Sequence, residues 1–203
     1  PGSLRKGKQG RPHTVDSQLV SSIDFAPTVL NLAGVDVPGH MQGRAFLGGK
    51  LGAARRYVYG ARDRMDERYD IIRMVRDSRF RYIRNYEPLK PYYQYMNTPE
   101  KGATMKEIRR LEKSGGLSGA ARLFSAARKP VEELYDLKND PNEVNNLAAN
   151  PEYADRLKTM REAHYRWVLE TRDIGLLPEP EIITREKVHG ARYDILRQDG
   201  STA

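Results

Sequence analysis

The 203-residue sequence contains no cysteine, which excludes disulfides and thiolate metal sites. It has no apolar run approaching the roughly 20 residues of a membrane-spanning helix, so no membrane partner is expected. The opening stretch, Pro1-Gly2-Ser3-Leu4-Arg5-Lys6-Gly7-Lys8, lacks the apolar core of a secretory signal. No internal repeat is visible. RNP, KH, zinc and helix-turn-helix patterns are all missing. Nucleic acid is therefore not an expected partner, although Lys90, Lys101 and Lys106 lie near the aromatic run Tyr92, Tyr93 and Tyr95, whose rings suit sugars or bases. His13 and His189 have no Asp or His at ligand spacing, and no metal site is read from the sequence.

What is present is basic and polar. Thirty-five Lys and Arg stand against 27 Asp and Glu, a net charge of +8, with 38% hydrophobic and 31% charged residues. The length allows one domain with a sizeable core, or parts of two. The charge has two readings: an electropositive face for polyanions, or cations scattered over solvated surfaces.

The stretch from Glu133 to Trp167 organises the chain. Glu133 to Leu137 reads as a short strand ended by polar turn residues. Asn139 and Asp140 precede Pro141, and Asn150 precedes Pro151, so each pair supplies a side-chain acceptor followed by a proline of fixed φ. From there Tyr153, Leu157, Met160, His164 and Trp167 recur at helical steps and form one apolar stripe. His164 on that stripe reads as a packed core histidine.

Upstream, Leu19, Val20 and Ile23 suit a short buried strand, and Asp24 the N-cap of a helix carrying Val29, Leu30 and Ala33 and stopped by Gly34. That strand and helix cannot bury their apolar residues alone and imply a larger sheet. Residues 35–52 are a Gly-rich connector with His40 and Arg44. Strands are expected at Arg56 to Ala61, Ile71 to Arg76 and Arg79 to Asn85, the last two joined by a tight Asp77-Ser78 hairpin. Residues 86–130 form a long insertion with helices at Lys106 to Lys113 and Gly119 to Ala127.

These segments carry a family resemblance. Leu134-Tyr135-Asp136-Leu137-Lys138-Asn139-Asp140-Pro141-Asn142-Glu143, with Asn146-Leu147 and Trp167, resembles the C-terminal end of the formylglycine-dependent (type I) sulfatases, in the alkaline phosphatase-like superfamily. Leu19 to Gly34, with Pro38 and Gln42-Gly43-Arg44, resembles the last strand–helix of the sulfatase catalytic domain. Two ordered motifs about a hundred residues apart are far more specific than either alone. The resemblance is good over 17–47 and 57–170, weak in 88–130 and thin after Ile174.

The resemblance implies an α+β fold: a four-stranded antiparallel sheet with a packed C-terminal helix, plus a strand–helix of an α/β catalytic domain. The expected organisation is 1–47 as the end of that domain, 48–175 as the antiparallel subdomain with insertion 86–130, and 176–203 as an extended tail. It also implies sulfuric ester hydrolysis by a full-length protein with formylglycine and calcium. Neither a Cys/Ser-x-Pro-x-Arg motif nor the family's metal-binding Asp and Asn residues occur here, so the chain alone is expected to be inactive and to hold no catalytic residue. Its partners would be an N-terminal catalytic domain and a sulfated small molecule or glycan. Phosphate and phosphonate ester hydrolases share the architecture, so the ester type stays open; the family setting is periplasmic, secreted or lysosomal.

For substrate contact the loop Arg62-Asp63-Arg64-Met65-Asp66-Glu67-Arg68-Tyr69-Asp70 stands out. Arg62, Arg64 and Arg68 can grip sulfate and hydroxyl groups through planar, bidentate contacts, or form a self-neutralising salt-bridged turn. His40 and Arg44 are further candidates. Two readings without a sulfatase remain: a non-enzymatic basic module that binds polyanions, and a truncated frame that does not fold alone.

Overall fold

The computed structural model describes residues 15–65 and 67–196; His13, Asp66 and the last seven residues lie outside the described residues. The described residues fall into two compact units, residues up to Tyr59 with 76–79, and 60–75 with everything from Phe80 onward.

The first unit is built on helix α1 (Phe25–Leu32), led in by a 3-10 turn at Ser22–Asp24. The strand expected at Leu19 to Ile23 is not formed, because no neighbouring strand offers it a ladder. Asp24 holds the N-cap position of α1 as expected, but its side chain makes no cap bond to that helix; in a capping box of the preceding 3-10 turn its carboxylate reaches back to accept from Ser21 N at 2.8 Å. The same carboxylate, 1% exposed, accepts from Arg44 N at 2.8 Å and from Arg55 Nη2 at 2.5 Å. Burial opposes its charge, but Arg55 and the two backbone donors outweigh that and hold its pKa below the ordinary value. Thr28 and Asn31 bind Phe46 N and Leu47 O, so α1 side chains fold the connector back over the helix. Gly34, at φ +75°, ends the helix as expected. Ile23, Phe25 and Val29 remain more than half exposed, as expected of a helix that cannot bury its apolar face alone.

The second unit holds nearly all of a four-stranded sheet in the order β1-β2-β3-β4: β1 (Val58–Met65), β2 (Arg68–Arg76), β3 (Phe80–Asn85) and β4 (Glu132–Asp136). Connections of two or three residues force β1, β2 and β3 to alternate in direction. Strand β4 pairs antiparallel with β3 in a register that sets Tyr82 opposite Leu134 and Ile83 opposite Glu133. The first hairpin is longer than expected: Arg62 to Met65 and Arg68 to Asp70 belong to the strands, so most of the charged loop is a strand pair, with Glu67 in the turn. On the outer side of β4, Asn146 Oδ1 accepts from Leu134 N and Leu147 N donates to Leu134 O. This shields an edge that would otherwise be open.

Helix α5 (Ala154–Thr171) lies on the sheet face that carries Phe80 and Tyr82. Its entry is built as the sequence predicts: Asn150 Oδ1 accepts from Glu152 N at 3.0 Å, and Pro151 opens the turn. Leu157, Met160 and His164 of the predicted stripe are buried. Arg161 clasps Glu132 with two bonds of 2.7 Å, which tie the helix to β4. The insertion contributes three helices, α2 (Asn97–Glu100), α3 (Ala103–Ser114) and α4 (Gly119–Phe124). Within the segment read as an extended tail, Glu179–His189 is helical (α6). Pro178 and Pro180 sit at its first positions, where a missing N–H costs nothing, so they start the helix rather than prevent it.

Candidate functional site

The hairpin β1–β2 and helix α6 enclose a cleft of about 270 Å³, lined by Asp63, Arg64, Tyr69, Gly175, Glu179 and Arg192 among others. Its frame is a buried cation. Arg73, with no exposure, lies on β2 and forms a bidentate pair with Asp173 through Nε (2.5 Å) and Nη2 (3.0 Å). Its Nη1 meets Asp63 at 2.7 Å and donates to the Arg62 carbonyl at 3.2 Å. Burial disfavours this guanidinium's charge, but the two carboxylates reverse the effect and raise its pKa. Asp173 also accepts from Gly175 N at 3.1 Å, so one side chain fixes both the end of α5 and the turn that leads to α6. A Cβ on Gly175 would overlap Arg73 Nη2 and the Asp63 carboxylate, so any larger residue there has to displace the clamp.

On this frame Arg64, 55% exposed at its side chain, forms an ion pair with Glu179 in the first turn of α6. Arg192 reaches the cleft from beyond α6 and is bound by Glu186 at 2.9 Å. The Tyr69 hydroxyl is buried beside them without a hydrogen-bond partner. Burial, then the negative charges of Asp63 and Glu87, raise its pKa and keep it a neutral donor. Two cations held by half-buried carboxylates, together with an unused hydroxyl, suit a ligand with both anionic and hydroxyl groups.

The other sequence candidates fall differently. Arg68 donates to the Tyr95 carbonyl and packs over that ring, and Glu67 accepts from Asn97 N at 2.7 Å; the hairpin tip is thus tied to the insertion. Arg62 is half-buried on β1, and its Nε has no hydrogen-bond partner. Among the described residues Arg64 reaches out of its own loop to Glu179 and Arg68 to the Tyr95 carbonyl; alternation along a strand sends neighbouring side chains to opposite faces. His40 and Arg44 belong to the first unit, both exposed, with Arg44 Nη1 donating weakly to the Ala53 carbonyl at 3.4 Å. Glu179 and Arg192 were not legible as site residues, because in sequence they are ordinary charges of a segment read as an extended tail.

His164, also buried, takes a structural position. Its Nε2 lies 3.3 Å from the Tyr86 hydroxyl, and its ring meets Tyr82 edge-on at 5.7 Å. Burial, then the nearby Arg84 and Arg73 charges, push its pKa down to about 4. Among the described residues no group of three or more His, Asp or Glu comes together to hold a metal ion, and no helix is long and apolar enough to cross a membrane. The carboxylates of this cleft, Asp63 and Glu179, are each taken by an arginine, which does not fit the six to eight free oxygen ligands that calcium needs.

Comparison with known proteins places the chain. The family described as "N-sulphoglucosamine sulphohydrolase, C-terminal" matches residues 3–101. An ulvan-active sulfatase of Formosa agariphila is 44% identical over 185 residues, covering 91% of this chain and 31% of the relative. A second ulvan-active sulfatase of that organism is 33% identical, over 86% of this chain and 34% of its own length. The human N-sulphoglucosamine sulphohydrolase is 25% identical, over 86% of this chain and 37% of its own. The solved structure of a 2-O GAG sulfatase superposes with a TM-score of 0.50 at 26% identity, covering 74% of this chain and 25% of that one. The chain thus spans about a third of the length of the curated relatives it matches. It belongs to the sulfatase family and corresponds to the C-terminal part of those enzymes.

Proposed function

We propose that this chain completes the substrate-binding rim of a sulfatase that removes sulfate from a glycan, with Arg64 and Arg192 contacting the anionic groups of the saccharide. The formylglycine nucleophile, the calcium ion and their ligands would come from an N-terminal catalytic domain, which also would cover the exposed apolar face of α1. The names of the relatives, ulvan-active and GAG sulfatases, support a sulfated polysaccharide or glycosaminoglycan as the substrate class. One observation carries the reading: Arg64 sits at the mouth of the hairpin cleft, and its bound carboxylate, Glu179, is itself 35% exposed. Such a surface pair contributes only about 0–1 kcal/mol, so a sulfate can take Glu179's place at little cost.

The test is kinetic, in the full-length protein. Arg64→Ala and Arg192→Ala are expected to lower kcat/KM on a sulfated oligosaccharide while leaving kcat/KM on a small aryl sulfate unchanged, since the aryl sulfate does not reach the rim. Unchanged kcat/KM on the oligosaccharide removes the proposal. The reading of a basic polyanion-binding module draws on the net charge of +8, yet Arg55, Arg73, Arg81, Arg109, Arg110 and Arg161 are each engaged by a carboxylate. Heparin and duplex-DNA retention that falls steeply with salt for both polymers alike would favour that module.

A further inference from the structure

A second cavity lies on the sheet face opposite α5. Register puts Ile83 and Glu133 on that face, and helix α4 of the insertion lies over them. The space between is about 350 Å³, at the small end of natural ligand sites. Three rings from three separate segments wall it: Tyr92 from the insertion, Phe124 from the end of α4 and Tyr135 from β4. At its base the Glu133 carboxylate, 3% exposed, accepts from Asn85 Nδ2 and from the Tyr135 hydroxyl, each at 2.5 Å. The Tyr92 hydroxyl also bonds to it, and since a carboxylate has about four acceptor positions, one remains for a ligand hydroxyl.

The walls are held in place before any ligand arrives. Phe124 stacks on Tyr93 with centroids 5.1 Å apart, and Arg109 lies 5.4 Å over the Tyr93 ring while Glu100 and Glu112 fix its guanidinium. Phe124 nonetheless stays 36% exposed. At the mouth Glu143 sits at φ +56°, a left-handed conformation that costs an ordinary side chain about 1 kcal/mol or more, and Arg81 holds its carboxylate at 2.5 Å. Fixed rings and a fixed rim lower the ordering cost of binding.

The chemistry selects the occupant. Flat rings accept the C–H face of a sugar, and the carboxylate oxygens and the Asn142 amide meet its hydroxyls. Glu133 and Glu143 both line the cavity, and the nearby Arg81 is already bound to Glu143, so a sulfate or carboxylate would enter against net negative charge. We propose that this cavity binds one uncharged pyranose residue of a saccharide. The assignment does not depend on the Arg64 cleft.

The experiment is saturation-transfer NMR on the full-length protein with a panel of neutral methyl pyranosides. Transfer to the ring protons of at least one pyranoside is expected. Ala120 lines the cavity from an exposed position on α4, so Ala120→Trp fills the space without disturbing the core, and it should abolish the transfer. Phe124→Ala should weaken binding about tenfold through loss of the stacking surface. Arg64→Ala should leave the transfer intact, so that failure of the rim reading and failure of this one are told apart. No transfer to any pyranoside, or full transfer in Ala120→Trp, overturns the proposal.

Discussion

Arg64 and Glu179 lie 115 residues apart in sequence and form an ion pair across the hairpin cleft. On the proposed reading Glu179 occupies the guanidinium that a ligand anion would need. Glu179→Gln keeps the shape of the side chain and removes its charge. In the full-length protein this variant should lower KM for a sulfated oligosaccharide about two- to fivefold with kcat unchanged, the range expected for releasing a surface ion pair. An unaltered KM would separate Glu179 from the binding rim.

Gly175 tests the frame beneath the cleft. Alanine there would press into Arg73 and Asp63, and the fully buried Arg73 cannot swing aside. Gly175→Ala should cost about 1–3 kcal/mol, measured by urea denaturation. Gly39→Ala is the control: a Cβ at that position meets nothing within 4 Å, and stability should change by no more than about 0.5 kcal/mol. Equal stabilities for the two variants would mean that the clamp is not rigid.

How far this was legible in the sequence depends on the range of the interaction. The α5 entry was readable because an Asn acceptor and a following Pro act within two residues, and the structure places both as expected. The buried stripe Leu157, Met160 and His164 followed from helical periodicity alone. The strand proposed at Leu19 failed because a strand needs a partner, which local pattern cannot supply. The prolines at 178 and 180 misled in the other direction, since the same residue opens a helix or ends one according to position. For the cleft, the hairpin arginines were visible, but Glu179, Arg192 and the Asp173 clamp join it from about a hundred residues away, and no local signal marks such contacts.

His164 gives a pH dependence with a definite sign. Its folded pKa is about 4 against an ordinary 6.5, because burial and neighbouring arginines disfavour the imidazolium. As pH falls below 6.5 the unfolded chain binds a proton that the folded chain refuses, so stability declines down to about pH 4 and this contribution then levels off. The total is roughly 3 kcal/mol. His164→Gln should be less stable at pH 7 yet show a flatter stability profile between pH 6.5 and 4. Glu132, whose pKa is lowered first by its bond from Arg161, loses its contribution only at the lower pH where that carboxylate protonates, so the two windows separate. A profile of the same slope in His164→Gln would show that the ring is not the titrating group.

Lys129 and Asp70 form an ion pair whose side chains both have no exposure, linking the end of the insertion to the outer face of β2. Asp70 also accepts from Ile71 N at 2.9 Å, and Lys129 N donates to the Pro88 carbonyl at 2.9 Å, so the pair closes the insertion onto the sheet at its base. Two charges taken from water gain little net stability from each other, but either one left alone inside the protein is costly. Lys129→Met should therefore destabilise the protein by about 3–5 kcal/mol, as should Asp70→Leu. The double variant should recover most of that loss, because neither charge is then buried unpaired. Thermodynamic coupling measured by denaturation across the four proteins decides the matter. Additive losses would mean that water reaches the pair and that the insertion is anchored to the sheet by its other contacts instead, such as the Lys90 and Gln94 bonds to the Tyr69 carbonyl.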